Sequence, residues 1–462
     1  MFSCYCIFHI IFLIRLLSTT AKLTTIKPKI WKSPKNSFVI HAAKLQKPQI
    51  YRKTKLSTTW TCFRKWTDPF LSSLVENVDG IYTQSGSSVF GPYFDDTRPL
   101  AAHPTIRPAH AYTQTSMKMS EFLQRISISD TDTNTNTDGV VGNDDKDATA
   151  TTKANYTYLT REIERIHPSL ENDLQPIHDL IILGPQFSSI NLWMGQKNVL
   201  APCHYDGYHN IYVQIRGRKT FYMVPPTAHA LLKPFPFLHP SHAQCQRRLI
   251  NHSYTSHHMR NKMNKDLDVY VATLKPGDVL YIPPLWFHEV VAEEQSISVN
   301  GWTPSKESDV VERLFAVKLP ISWSRAQREE DKLAVLSAML IDFVPVLFVL
   351  YNERFATLIE QDILPGSTMT REEEVKHVLG GCDDVAAVWS SKKDDVIEWK
   401  ENVMKILKEM NVKTKDIWFG NFIESLLFTI VGTEKSELVG ARLKDVMRCA
   451  NAMNIDRRNR EL

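Results

Sequence analysis

The sequence predicts an α+β protein in which a β-sandwich or barrel is followed by an α-helical region. Three observations point to it. Between residues 179 and 302, short β-branched and aromatic runs are punctuated by Gly and Pro, the pattern of a sandwich or barrel. After about Ser305 the apolar spacing changes to the helical period. A chain of 462 residues with 43% hydrophobic content can bury a sizeable core, in two or three domains by length.

In chain order, "MFSCYCIFHIIFLIRLL" is apolar but short for a membrane span, and it contains His9 and Arg15. No Asp or Glu precedes Asp68, whereas thirteen Lys and Arg do. This Lys/Ser/Thr-rich stretch reads as an organelle transit segment or a disordered leader, so residues 1–85 are expected to lie outside the fold. The protein is expected to be intracellular, in an organelle if the leader is read and otherwise in cytoplasm or nucleus. Without those thirteen, 42 of the 55 basic residues face 51 acidic ones, a net charge of −9 for the rest. That weighs against a general nucleic-acid binder, whose folded domain should be basic. Seven cysteines, at 4, 6, 62, 203, 245, 382 and 449, form no CxxC pair and outline neither a disulfide framework nor a zinc finger.

Residues 129–154 are almost free of large apolar side chains and are expected to be a disordered insertion. Within them "NTNTDGVVGNDD" imitates a calcium loop, but Asn134 opens it, Asp145 closes it where Glu is needed, and no amphipathic helices flank it. Around this tract "SMKMSEFLQRI" and "YLTREIERI" read as short helices. Then "DLIILG", "SSINLWMG", "HNIYVQIRG", "KTFYMVPP", "VYVATLKPGDVLYIPP" and "ISVNGW" read as strands. The tail, including "DVVERLFAVKL" and "DDVIEWKENVMKILKEM", is helical. Its most apolar piece, 333–351, carries Asp342, which at mid-bilayer would cost roughly 3 kcal/mol, so a core or interface helix is expected rather than a span.

The chemistry concentrates in "APCHYDGYHNIYVQIRGRKTFYMVPP". His204 and Asp206 are two apart in a segment that becomes a strand, so a period of two puts both on one face. An imidazole and a carboxylate so placed can take adjacent positions on a divalent metal. The candidate third ligand is His288, in "KPGDVLYIPPLWFHEVV", where it closes a segment punctuated by Pro283 and Pro284. Two His and one carboxylate leave three coordination positions open, the arrangement of non-haem Fe(II) oxygenases, whereas catalytic zinc usually keeps one. Lys219, past a turn at Gly217, either reaches into the barrel toward a co-substrate carboxylate or is a solvated hairpin lysine. Asn210 and Asn300 either donate to the same ligand or are satisfied core amides. His209 falls on the opposite strand face from His204. His252, His257 and His258 belong to a polar loop with no cysteine pair to make a zinc site.

Together "HYDGYHNIYVQIRGRKTFYMVPP", "KPFPFLHPSHAQCQ" and "PGDVLYIPPLWFHEV…SISVNGW" resemble the JmjC-type hydroxylases of the cupin-8 group. In motifs they are nearest to the asparaginyl hydroxylase that inhibits hypoxia-inducible factor. The resemblance implies a double-stranded β-helix (jelly-roll, cupin) barrel over 86–304 and a C-terminal α-helical region, 305–462, that builds a homodimer. It implies Fe(II) on His204, Asp206 and His288, and 2-oxoglutarate as co-substrate with its distal carboxylate on Lys219. Tyr158, on a helix, with Asn210 and Asn300 completes that pocket; Trp302 is a pocket wall and Gln244 a substrate contact. Two positions depart from the pattern: Ala201 stands where a Thr or Ser usually precedes the first ligand by three, and Ala243 replaces a substrate-side Arg.

The implied activity is a dioxygenase that hydroxylates a protein side chain with release of succinate and CO₂. A protein or peptide substrate is expected ahead of tRNA, and no membrane partner. A wybutosine-type tRNA base hydroxylase is the alternative that the acidic body weighs against. A histone lysine demethylase is the alternative that lacks a Cys-rich zinc module here. A non-enzymatic binding barrel is disfavoured by the presence of all three ligands and Lys219.

Overall fold

A computed structural model describes residues 23–27, 29–30, 46–52, 54, 56–85, 87–90, 113–127, 155–175, 189–232, 234, 243–245, 247–251, 262–263, 268–318, 382–409, 417 and 422. The insertion at 129–154 with its calcium-loop imitation, the apolar stretch 333–351, the "DLIILG" strand and the 252–258 histidines lie outside the described residues. The chain divides into two units. One comprises Met1–Gly91, Ala111–Pro225 and Arg248–Ser305; the other comprises Pro92–His110, Pro226–Arg247 and Lys306–Leu462.

The first unit begins with strands β1 (Leu23–Thr25), β2 (Lys29–Ile30), β3 (Gln49–Arg52), β4 (Asn77–Ser85), β5 (Thr113–Lys118) and β6 (Asn155–Glu162). It continues with β7 (Ser189–Gly195), β8 (Leu200–His204), β9 (His209–Arg216) and β10 (Lys219–Val224). After a two-stranded ribbon, β11 (Ile250–Asn251) with β12 (Lys262–Met263), come β13 (Val269–Leu274), β14 (Val279–Ile282), β15 (Phe287–Ala292) and β16 (Ser296–Thr303). The small sheet runs β1-β13-β10-β15-β8 and the large one β2-β3-β14-β9-β16-β7-β6-β4-β5. From β7 to β10 and from β13 to β16, consecutive strands alternate between the two sheets, which makes the double-stranded β-helix.

Strand alternation divides the large sheet into two buried faces. Tyr212, Leu280 and Ile282 point inward to pack with Phe221 and Met223 of the small sheet. Ile211, Val213, Val279, Tyr281, Ile297 and Val299 point the other way, into a second core. Sheets buried on both sides read as continuous apolar runs, as β9 and β14 do. The Gly217 turn between β9 and β10 has φ +72°, and a Cβ there would lie 2.0 Å from the Gln295 carbonyl oxygen, so only glycine fits.

That second core corrects the expected leader. Tyr51, Leu56, Trp60, Cys62, Trp66, Leu71, Val75, Val78 and Ile81 are all buried in it, carried by β3, β4 and helices Leu56–Thr59, Cys62–Lys65 and Asp68–Leu74. The last of these helices is capped by Thr67, whose hydroxyl accepts from the Phe70 amide. Asp173 ties the layer down, accepting from Thr61 Oγ1 at 2.7 Å, Lys65 Nζ at 2.9 Å and Trp66 Nε1 at 2.9 Å. Residues 49–85, which include Asp68, Glu76 and Asp79, are a layer packed on the large sheet and not a leader. Even β1 and β2, further upstream, pair in parallel with β13 and β3.

Two expected helices are shorter than the sequence suggests. Ser116–Lys118 belong to β5, and the helix runs Met119–Ser127. "YLTRE" is strand β6, paired with β4 and β7, and only Ile163–Ile166 turn helical. Tyr158 is therefore a strand residue: lateral pairing on both sides overrides a weak helical propensity.

In the second unit, helix Lys306–Phe315 packs on helix Cys382–Leu407. Val310, Leu314, Val396, Trp399, Val403 and Leu407 are buried, and Arg313 reaches Glu409 at 2.6 Å. No helix among the described residues is long and apolar enough to cross a membrane.

Candidate metal centre

His204 is the last residue of β8 and His288 the second of β15. They face one another in the antiparallel pair, with ring centroids 4.2 Å apart. Each imidazole sets Nδ1 against a main-chain oxygen two residues back, His204 on Pro202 at 2.7 Å and His288 on Trp286 at 2.9 Å. A carbonyl oxygen only accepts, so Nδ1 carries the proton and Nε2 presents its lone pair to the barrel interior. Burial first, and then neighbouring His204, push His288 down to about 4, which keeps it the neutral imidazole a metal requires. Asp206 Oδ2 lies 3.6 Å from His288 Nε2, and one ligating atom of each of the three residues lies within 4.8 Å of the others.

Asp206 reaches this position by a different route from the one expected. Strand β8 ends at His204, so Asp206 sits in the connection to β9 and no strand alternation aligns it. The turn before β15 holds it instead, because the Leu285 N–H donates to the Asp206 main-chain oxygen at 2.7 Å. His288 correspondingly lies at the start of a strand and does not close one. Leu285 is fully buried at φ 61°, a left-handed conformation that costs a bulky residue about 1–3 kcal/mol. That turn thus fixes two ligands, Asp206 through the Leu285 amide and His288 through the Trp286 carbonyl.

Asn210 and Asn300, expected among the co-substrate contacts, are arranged in series behind the carboxylate. Trp193 Nε1 donates to Asn300 Oδ1 at 2.6 Å, Asn300 Nδ2 to Asn210 Oδ1 at 3.0 Å, and Asn210 Nδ2 to Asp206 Oδ2 at 3.4 Å. This chain orients a ligand from outside, as partners of metal-binding carboxylates do. Trp193 belongs to the site, yet nothing in its sequence neighbourhood singles it out.

Lys219 shares the interior face of β10 with Met223, which lies opposite His288. It is 3% exposed and donates to Tyr212 Oη at 2.9 Å and Ser298 Oγ at 3.2 Å, with its ammonium 5.7 Å from the Tyr158 ring centre and 5.6 Å from that of Tyr212. It has no carboxylate partner among the described residues, so it is not the solvated hairpin lysine. Burial draws it down to about 7 and pushes the phenols of Tyr158 and Tyr212 well above their ordinary range. A desolvated ammonium among neutral groups is costly until an anion joins it.

Tyr158 lies across Gly195, where a Cβ would stand 2.7 Å from its ring, and packs between Phe90 and Trp193. Trp302 meets Trp193 edge-on at 6.0 Å, and its buried Nε1 has no hydrogen-bond partner among the described residues. Gln244 belongs to the second unit, next to the bridge of Pro234 with Cys245, whereas the triad belongs to the first. His209 is on the outer face as expected, its Nδ1 2.9 Å from Tyr281 Oη. Tyr212 and Ser298 escaped the sequence reading, although strand alternation puts them on the faces of Asn210 and Asn300.

A double-stranded β-helix whose interior brings one ligating atom from each of two histidines and one carboxylate within 4.8 Å has the donor set of the facial-triad class of metal barrel. The comparisons agree. Residues 36–308, more than half of the chain, match the family described as cupin-like domain, and the chain belongs to it. It is 32% identical over 123 residues to the lysine-specific demethylase JMJ31 of Arabidopsis thaliana, covering 26% of this chain and 21% of that one. It is 30% identical over 153 residues to the Jumonji C domain-containing protein 5 of Drosophila melanogaster, covering 32% and 37%. It is 26% identical over 160 residues to the human bifunctional peptidase and (3S)-lysyl hydroxylase JMJD7, covering 31% and 50%. The chain thus spans a fifth to a half of the length of these relatives.

Proposed function

We propose that the chain is an Fe(II)- and 2-oxoglutarate-dependent dioxygenase that hydroxylates a protein side chain. One juxtaposition carries the reading: a two-histidine, one-carboxylate triad with its ligating atoms within 4.8 Å, and on the same barrel interior a buried ammonium with no acid partner among the described residues. The donor set fits Fe(II), and the buried ammonium fits the far carboxylate of a 2-oxo dicarboxylic acid. When bound, iron and 2-oxoglutarate supply the oxidising chemistry, in which O₂ is consumed, succinate and CO₂ leave, and one oxygen atom enters a substrate C–H bond.

The chain's own residues do the holding and the shielding. His204, Asp206 and His288 would hold the metal through three positions and leave the others for co-substrate and O₂. The series Trp193, Asn300, Asn210 keeps the Asp206 carboxylate oriented, and the Nδ1 bonds keep both imidazoles in the ligating tautomer. Tyr158, Phe90 and Trp193 wall the Lys219 end with aromatic surface and exclude water from it.

The acidic body of the chain supports a protein substrate over tRNA. Two relatives carry lysine in their names, so a lysyl side chain is the first to present, with an asparaginyl one next because of the motif resemblance. Demethylation of an N-methyl-lysine is a second reading, favoured by the similarity to JMJ31, and it starts with the same hydroxylation at the methyl carbon. We also propose that the helical C-terminal region dimerises, which sedimentation of the purified chain tests. The activity test is succinate release by the full chain with Fe(II), 2-oxoglutarate and a panel of Lys, methyl-Lys, Asn, Asp, His and Arg peptides. Products are read as one added oxygen or one lost methyl. Equal succinate release by wild type and Asp206→Ala would sink the dioxygenase reading.

A further inference from the structure

The hydrogen-bond series behind Asp206 has a direction, and one residue sets it. Trp193 on β7, Asn300 on β16 and Asn210 on β9 belong to three adjacent strands of the large sheet. Trp193 is opposite Ser298, and Asn300 is opposite Tyr212, so each link crosses one strand and shifts two residues along it, the diagonal reach of side chains that share a face. Both asparagines are buried, and a wrongly turned amide there has no water to compensate it.

The oxygen and nitrogen of an amide are similar in size, so its partners decide which way it faces. Here the two ends of the series decide. An indole N–H donates and cannot accept, and an ionised carboxylate accepts and cannot donate. At 2.6 Å from Trp193 Nε1, the Asn300 atom must therefore be oxygen, which turns its Nδ2 to Asn210 at 3.0 Å. Asn210 must answer with its own oxygen, and its Nδ2 is left to donate to Asp206 Oδ2 at 3.4 Å. Inverted, the amides would set N–H against N–H at the indole and a carbonyl oxygen against the carboxylate. The indole is itself held, edge-on to Trp302 and tilted against Tyr158.

We propose that Trp193 is a positioning residue for the metal centre: its donor-only N–H fixes both amides in the one order that delivers an N–H to the Asp206 carboxylate. This rests on the dioxygenase reading above and adds to it a residue that acts on a ligand through two others. Without that N–H the two amides are free to invert, and an inverted Asn210 repels the carboxylate that its own N–H would hold.

The test is the Mn(II) affinity of the full-length protein, measured by competition with a chelator, for Trp193→Phe, Asn210→Ala and the double variant. Phenylalanine keeps an aromatic ring in the wall and removes the N–H. Trp193→Phe is expected to weaken Mn(II) about tenfold, the low end for loss of an outer partner of a ligand. Once the Asn210 amide is gone, the order of the series no longer reaches Asp206, so the double variant should bind within about twofold of Asn210→Ala alone. A tryptophan that merely packs would lower the affinity by the same factor in both backgrounds, and that result overturns the positioning role. Wild-type affinity in Trp193→Phe also overturns it and leaves the dioxygenase reading standing. If Trp193→Phe does not fold, Trp193→Tyr carries the same comparison, because a hydroxyl both donates and accepts and so enforces no order. Wild type that binds no Mn(II) removes the metal centre, and the dioxygenase reading with it.

Discussion

Truncation at residue 86, the boundary the sequence pattern favours, should destroy the fold, whereas truncation at residue 46 should spare it. The shorter deletion removes only β1 and β2, five residues of edge strand among those described. The longer one strips the outer face of the large sheet of Tyr51, Leu56, Trp60, Trp66 and Leu71, and it unpairs β14 from β3. Beneath that layer lie Ile211, Val213, Val279, Tyr281, Ile297 and Val299, none more than 1% exposed. At about 1.5–3 kcal/mol for each large side chain returned to water, uncovering four of them costs roughly 6–12 kcal/mol. That equals the whole stability of a typical domain, about 5–15 kcal/mol. The freed β14, "VLYI", would in addition be an apolar unpaired edge, which favours aggregation. Circular dichroism melts and size-exclusion profiles of 46–462 and 86–462 read the outcome. A cooperative, monodisperse 86–462 melting within a few degrees of 46–462 would refute the assignment of this layer to the core.

Two further predictions concern the site. Asn210→Ala removes the last link behind Asp206 and leaves the Asn300 amide without its acceptor. It is expected to weaken Mn(II) about 10–100-fold, measured by competition with a chelator, with the melting transition retained. The second is a pH profile of 2-oxoglutarate affinity. Burial holds Lys219 near 7, so in the empty pocket it is cationic below that and neutral above, and a bound dianion favours the cation. Binding therefore takes up a proton above pH 7, and the affinity present at pH 6 falls toward tenfold per pH unit as pH rises, about 1.4 kcal/mol each. Tyr158 and Tyr212, both pushed upward by burial, stay neutral through this window, and His288, near 4, does not titrate in it. Lys219→Met should flatten the profile, and a wild type that is flat from pH 6 to 9 contradicts the argument.

What was legible in the sequence, and what was not, follows from the range of each signal. The barrel strands announce themselves locally, because β-branched and aromatic runs between Gly and Pro need no partner to be recognised. His204, Asp206, His288 and Lys219 were legible because they are chemically unusual in such runs. The helical layer at 56–74 was not, since its burial depends on a sheet more than a hundred residues downstream and the stretch ahead of Asp68, with Arg64 and Lys65 but no acid, imitates a leader. Tyr158 was misplaced for a similar reason: "YLTRE" has helical spacing, and only pairing with β4 and β7 makes it a strand.

The same distinction explains the ligands. Spacing of two suggests that strand geometry aligns His204 and Asp206, yet the strand stops between them and a strained turn 79 residues further on holds the carboxylate's backbone. Spacing of three would put Ala201 and His204 on opposite faces of a regular strand, yet the bulge opposite His288 and Val290 returns both to the interior. A pairing partner decides both outcomes, and a single strand's periodicity cannot contain it. That is why the identities of the metal ligands can be read from residue types while the residues that orient them can be read only from the register. It is also why Tyr212 and Ser298, two ordinary strand residues, come to face the buried ammonium from strands that are distant in sequence.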